Sequence, residues 1–318
     1  MTTEATTSNK PADVFKTFPE FTKLTLADRS AYEQMVGDYP PISDISFPTL
    51  MLTWNVLESC AVARLGDNLV LSYWFPGMEE YSGLSLIGEH EVDESICALF
   101  DHLKEKGETP RLVHVPEFVF RHIKHPDLFV CKAERNFDEY IYRTSNFIPS
   151  KEMDVHRRDR IKRFVANVGE GSLLVKSLDL SDEDNHQLLL QCGEAWQTTG
   201  RVDDRVKIEL DMFHKALDSH DTLKIRNLCL FVGGELRSFC LYYLSKDNRY
   251  ATVTTFRIDG TITHGLDYAA FVFVQKMADQ GASYLNLEYD LGSKFMRTFK
   301  LSLGPHEFFR KYTIEPAD

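Results

Sequence analysis

The order of elements in this chain repeats once, and that repeat constrains the fold more than any single motif. In the first half, the apolar runs Cys60–Arg64 and Asn68–Trp74 flank Gly66-Asp67 and read as a hairpin. A short strand is expected over Gly83–Gly88 and a helix over Asp93–Lys106. That helix has Ile96, Leu99, Phe100 and Leu103 on one face and Gly107 as its stop. A buried strand, Leu112–Val115, then runs into an acid, Glu117, and a short helix. The second half follows the same order. Helices Asp182–Thr199 and Lys207–Ser219 precede strands Leu228–Val232, Leu236–Leu244 and Tyr250–Ile258. Helix Leu266–Gln280 stops at Gly281, and a strand from Tyr284 ends among acids. One α/β unit, duplicated, accounts for this order.

The expected layout is a polar tail (1–13), a first domain (14–145), a basic linker (146–170) and a second domain (171–318). The linker carries Lys151, His156, Arg157, Arg158, Arg160, Lys162 and Arg163, the densest basic run of the chain. Strands are also expected over Asp138–Arg143 and His306–Ile314.

Composition narrows the function classes. Hydrophobic residues make up 43% of the 318, enough for sizeable cores. A net charge of -12 argues against binding nucleic acid over a broad surface, while leaving room for a local basic groove. The six cysteines are scattered without a C-x-x-C pair, so buried reduced thiols are expected. No secretory h-region and no membrane-length apolar run is present, which predicts a cytoplasmic protein without a transmembrane segment. His122 and His125 have a usable metal spacing, but nothing completes a set, and no metal is expected. No nucleotide fingerprint or nucleophile elbow occurs.

The most chemically charged stretch is Tyr284–Pro305. Asn286, Glu288 and Asp290 stand at alternate positions, on one face of the expected strand. Lys294, Arg297 and Lys300 recur every three residues, on one face of the following helix. Acids at a strand end facing bases on a helix make either a reaction centre or a structural ion-pair cluster. The first repeat has only Glu117 at the corresponding place, so a single site would lie in the second half.

This stretch resembles a C-terminal signature, N-x-E-x-D-L-G followed by R-x-x-K-L-S and Pro. Asn286, Glu288, Asp290, Leu291, Gly292, Arg297, Lys300, Leu301, Ser302 and Pro305 meet it. Glu139–Phe164, with Tyr140-Ile141-Tyr142, Arg157-Arg158-Asp159 and Arg163-Phe164, and Ile42–Trp54 are similar to two further segments of the same family. That family is typified by the C-terminal catalytic domain of phosphatidylglycerol lysyltransferase, and the resemblance covers nearly the whole chain. It implies an α/β (α+β) fold of two tandem GNAT-like domains with mixed, mainly antiparallel sheets, as in Fem-type aminoacyltransferases. It also implies transfer of an aminoacyl group from aminoacyl-tRNA to an amine or hydroxyl on a small molecule, peptide or lipid headgroup. The chain departs from the family at Leu287, where an Arg is common, at Phe295 (Gly) and at Asp159 (Asn). An acid-and-lysine motif expected near Thr254-Thr255 is absent.

Acyl transfer requires a proton acceptor, donors for an oxyanion and positive charge for the donor substrate. The resemblance makes Glu288 and Asp290 the catalytic candidates. Asn286, Arg297, Lys300 and Glu209 become substrate-binding candidates, and Arg157, Arg158 and Lys162 contacts for tRNA phosphates. Each has a plainer reading: an ion-pair cluster, a strand-end Asn satisfying backbone, an exposed helix acid at Glu209, a solvated face on the basic run. No bound cofactor is expected. Acetyl-CoA is the alternative donor, and its place would be Arg257–Gly265. There Gly260 and Gly265 have the wrong spacing, Asp259 would repel phosphate, and Thr263 or His264 reads as a helix cap. A non-catalytic binding protein that kept the fold is the third reading.

Overall fold

The described residues build two seven-stranded sheets, one on each repeat's strand–helix–strand unit. The computed structural model describes residues 14–37, 39–54, 60–74, 82–148, 153–197 and 204–317, so the expected tail and Lys151 lie outside the described residues. The first half supplies β1 (Thr22–Lys23), α1 (Arg29–Val36), α2 (Phe47–Thr49), β2 (Cys60–Leu65), β3 (Asn68–Tyr73) and β4 (Gly83–Ile87). It continues through α3 (Val92–Glu105), β5 (Leu112–Pro116), α4 (Glu117–Phe120) and β6 (Phe129–Ala133). Next come β7 (Glu139–Arg143), α5 (Val155–Val168), β8 (Leu173–Lys176), α6 (Glu183–Gln197), α7 (Asp204–Asp218) and α8 (His220–Leu223). The chain finishes with β9 (Arg226–Val232), β10 (Glu235–Leu244), β11 (Tyr250–Ile258), α9 (Gly265–Asp279), β12 (Tyr284–Asn286), α10 (Lys294–Ser302), β13 (Glu307–Phe309) and β14 (Lys311–Pro316).

The sheet orders are β1-β2-β3-β4-β5-β14-β6 and β13-β7-β12-β11-β10-β9-β8. In each, only one adjacent pair is parallel, β4 with β5 and β11 with β12; the rest are antiparallel. The parallel step follows from the repeat, because a crossover helix, α3 or α9, joins those two strands. The fold is therefore mixed, mainly antiparallel α/β in two units of one design, the tandem GNAT-like layout that the resemblance implied. The β9–β10 turn has both Gly233 and Gly234 at positive φ (61° and 86°), which suits the right-handed twist of the strands it joins.

Sheet membership departs from the expected domain boundaries. The compact units are Met1–Arg135 with Arg310–Asp318, and Asn136–Phe309. β7 follows β6 in the chain but pairs with β12 and β13 of the second sheet. The expected strand His306–Ile314 breaks at Arg310: β13 stays in the second sheet, and β14 enters the first between β5 and β6. Thus each expected domain gives its last strand to the other sheet. The reason lies in the side chains. Tyr140, Ile141 and Tyr142 are fully buried, the two tyrosines in the second core, and Ile314 is fully buried in the first. An apolar strand carries no mark of which sheet it completes.

The expected linker is also part of the second unit. It forms α5, whose Ile161 and Phe164 are buried, and Phe164 packs on Tyr268 of α9 with ring centroids 5.0 Å apart. The first core gathers Val70, Leu86, Ile96, Leu99, Leu112 and Val115. The second gathers Leu230, Tyr242, Ala251, Phe273, Met277 and Leu285. All six cysteines are unlinked; Cys60, Cys229 and Cys240 are buried, while Cys97 is exposed. Among the described residues, no helix is long and apolar enough to cross a membrane.

Candidate functional site

β11 and β12 pair at Tyr250↔Tyr284, Ala251↔Leu285 and Thr252↔Asn286, and the pairing ends there. β11 runs on to Ile258, so its edge from Val253 onward has no strand partner on the β12 side among the described residues. All six of these residues keep partial exposure, whereas Ala251 and Thr252 are buried. Beyond Asn286 the chain turns instead toward β7: the Leu287 N–H donates to the Tyr140 carbonyl (3.1 Å), and the Tyr140 N–H donates to the Glu288 carbonyl (3.2 Å). The two parallel strands therefore part, and the segment Leu287–Asp290 begins at the parting.

The expected alternation stops at the same point. β12 ends at Asn286, and Glu288 adopts φ +54°, so Asn286, Glu288 and Asp290 do not share one strand face. Asn286 is fully buried; its amide donates to Glu139 Oε2 (2.6 Å) and accepts the Glu288 N–H (2.7 Å). Glu288 is partly exposed.

Asp290 does not fit the role of a free base. Its side chain is sealed from solvent, and both oxygens are held by Arg297: Nε to Oδ2 at 2.8 Å and a terminal nitrogen to Oδ1 at 2.7 Å. The Tyr140 hydroxyl donates to Oδ2 (2.5 Å) and the Gly292 N–H to Oδ1 (2.8 Å). Burial pushes this carboxyl up, but the bonds from Arg297, Tyr140 and Gly292 outweigh it and hold it at about 2. Arg297 has its fork committed to Asp290 and to Asn136 Oδ1 (2.8 Å). Lys300 is 6% exposed and donates to three consecutive carbonyls: Leu287 (2.6 Å), Glu288 (3.2 Å) and Tyr289 (2.5 Å). An ammonium has three N–H donors, so none is left for a phosphate. The substrate-binding roles expected of Asn286, Arg297 and Lys300 therefore give way to roles in building the site, and Glu288 is the partly exposed acid beside them.

Glu209 lies beside the other arm. From α7 it accepts a bond from Arg257 of β11 (3.3 Å), and its side chain is 59% exposed. On α5, Arg157 and Arg160 both bind Asp267 of α9, at 3.2 and 2.6 Å, and Arg157 also lies over the Phe147 ring. Arg157 is thus a structural contact. Lys162 and Arg163 are exposed and Arg158 partly so. In the loop after β11, the N–H groups of Thr261, Ile262 and Gly265 donate within the loop, to Asp259 Oδ1, the Asp259 carbonyl and the Ile262 carbonyl. His264 occupies the N-cap position of α9, but its side chain makes no capping bond.

Sequence reasoning missed Tyr140, Glu139 and Asn136 as members of this site, which they reach from far away in the chain. One signal was available: a glutamate at the start of an apolar strand, Glu139 before Tyr140-Ile141-Tyr142, needs a buried partner.

No family model and no curated relative matches the chain. Solved structures do share its fold. A conserved protein of unknown function from Bacteroides thetaiotaomicron is 20% identical, covers 93% of this chain and 99% of its own, and superposes with a TM-score of 0.77. The C-terminal domain assigned to a lysylphosphatidylglycerol synthetase from Agrobacterium fabrum is 13% identical over 91% of this chain and 92% of its own, with a TM-score of 0.60. FemX is 10% identical over 94% of this chain and 97% of its own, with a TM-score of 0.53. The resemblance read from the sequence thus extends to the three-dimensional fold.

Proposed function

We propose that this protein is an acyltransferase that moves an aminoacyl group from aminoacyl-tRNA to an amine or hydroxyl acceptor at the parting of β11 and β12. The observation that carries this reading is the stretch of β11 past Thr252, which has no strand on the β12 side among the described residues, beside a strand end bearing a partly exposed acid, Glu288. A free strand edge offers a row of backbone N–H and C=O groups to a substrate and donors to an oxyanion. The names of two fold neighbours, a lysylphosphatidylglycerol synthetase and FemX, agree with the sequence resemblance.

In the proposed reaction the acceptor attacks the ester carbonyl and Glu288 takes its proton. The new C–N or C–O bond forms as the ester C–O bond breaks, and the ribose hydroxyl leaves with the proton. Asp290 stays ionised beside Arg297 and holds the frame. The exposed bases of α5, Lys162 and Arg163 with Arg158 partly exposed, suit an RNA backbone. The CoA alternative receives less support, because three N–H groups of the loop after β11 already have partners where a pyrophosphate would need them.

The test is to incubate the protein with a mixture of charged tRNAs and cell extract, including phosphatidylglycerol vesicles in one arm, and to measure loss of each aminoacyl ester. Depletion of one aminoacyl-tRNA that depends on an acceptor supports the reading. If every charged tRNA stays intact, the reading fails; calorimetry with CoA then addresses the alternative donor.

A further inference from the structure

The backbone next to the proposed base is held in a conformation it would not choose. Glu288 (φ +54°) and Leu291 (φ +49°) are both left-handed without being glycine. Such a backbone conformation is strained in a residue with a Cβ and persists only where its surroundings impose it. The carbonyls of Leu287, Glu288 and Tyr289 also converge on one point, which sets their negative ends against each other. The Lys300 ammonium sits at that point, donating to all three, at 2.6, 3.2 and 2.5 Å.

We propose that Lys300 is a positioning residue: its ammonium ties three consecutive carbonyls and so fixes the left-handed turn that takes Glu288 out of the strand alternation, between the buried Asn286 and Asp290. This rests on the function proposed for Glu288, and it assigns Lys300 a task other than holding substrate. A strand that kept its alternation would turn Glu288 to the same face as Asn286, which is sealed against Glu139. Without the clamp, the acid loses its set position.

The environment of Lys300 supports the assignment. Burial lowers its affinity for a proton, to a pKa of about 8, while the charges of Glu288, Asp290 and Glu139 pull the other way. The Tyr140 ring lies 5.5 Å from Nζ, and Arg297 is one turn away on the same helix. A neutral amine has two N–H donors rather than three, so deprotonation removes one of the three bonds from Lys300 to the turn.

The first measurement uses the wild-type protein and requires no activity. With carbonyl-13C labels at Leu287, Glu288 and Tyr289, a titration from pH 6 to 10 should move the three resonances together, with the midpoint of the Lys300 Nζ resonance; the movement should be absent in Lys300→Met. If Nζ titrates and the carbonyls stay still, the clamp is refuted, whatever the protein's activity. The second measurement is kinetic. Lys300→Met should lower kcat roughly 100-fold with KM for charged tRNA within about threefold, the pattern of a misplaced catalytic group. A rise in KM at unchanged kcat would overturn the proposal and make Lys300 a substrate contact. If no variant or wild type turns over while the carbonyls still titrate with Nζ, the clamp stands and the acyltransfer reading falls.

Discussion

The two units part their central parallel strands in the same place, yet only one leaves the parting open. In the first, β4 and β5 pair at Leu84↔Leu112, and the return strand carries a left-handed residue, His114 (φ +54°). Past that pair the strands are sealed: the Ser85 hydroxyl donates to the His114 carbonyl (3.3 Å), and Ser85, Leu86 and Ile87 are 0%, 0% and 2% exposed. In the second, every residue of β11 past Thr252 keeps some exposure, and Glu288 takes the left-handed position. Their electrostatics differ in the same sense. The first unit buries Asp44 whole with Lys311, and His114 against a nearly covered Glu134 (2.7 Å). The second buries Asp290 against an arginine that is 31% exposed, and leaves Glu288 partly accessible. A sealed ion pair acts on stability and specificity alone, whereas an acid at an open strand edge can meet a substrate. Duplication supplied two frames, and only one kept a way in.

The comparison breaks most visibly at Glu288. Glu288→Gln should lower aminoacyl transfer by roughly 10²–10⁴-fold, the usual range for a general base, with an unchanged thermal midpoint. Glu117→Gln, at the corresponding place in the first unit, should leave transfer within about twofold of wild type, since Glu117 pairs with the exposed Arg121 one turn on (3.1 Å). Equal losses in both would refute the assignment of the site to the second unit.

Breaking a buried pair should cost both units alike. Arg297→Met strands the Asp290 carboxylate, and Lys311→Met strands that of Asp44. Each is expected to lose about 3–5 kcal/mol in urea denaturation, the range for removing one partner of a buried pair. A loss under about 1 kcal/mol at Arg297 would show that its exposed side already lets water solvate Asp290.

Acid sharpens the comparison further. Both Asp290 and Glu134 are pushed up by burial and pulled down more strongly, by Arg297 and His114 respectively, to about 2. Their folded values lie below the unfolded ones, so each contributes stability that is fully present above about pH 4–5 and is lost as pH falls toward 2. Asp290→Asn and Glu134→Gln should each flatten the acid limb of stability against pH, by roughly 2–3 kcal/mol. Parallel limbs for wild type and variant would contradict the assigned pairs.

The smallest expected effect lies on α5. Lys162→Ala should weaken RNA binding a few-fold and reduce the salt slope by about one. Arg157→Ala should act on stability instead, through Asp267. An unchanged salt slope in the Lys162 variant would remove that helix from the RNA-binding surface.

Much of this arrangement is legible in the residues. Glycines 107 and 281, the hairpin turns and the apolar faces of α3 and α9 read directly as a duplicated unit, because local pattern encodes local structure. The charged stretch was visible too, but its division of labour was not. Asn286, Glu288 and Asp290 look equivalent by spacing; a left-handed residue that spacing does not announce separates them. Tyr140, Glu139 and Asn136, which decide that Asp290 and Asn286 are structural, lie far away in the chain. The same limit hid the destinations of β7 and β14, since a buried strand shows its apolar faces and not its neighbours.

The exchange of β7 and β14 also bears on how the chain acquires its structure during synthesis. The first sheet needs a strand, Lys311–Pro316, that is made after every other strand of the two sheets. Until then β5 and β6 face a vacant slot, with an aggregation-prone edge on each side. The second sheet has no such wait for β7, which is made before the rest of its strands. The half that is translated first is therefore the half that finishes folding last, and removing the residues after Phe309 should leave the N-terminal sheet, not the C-terminal one, as the species that chaperones hold.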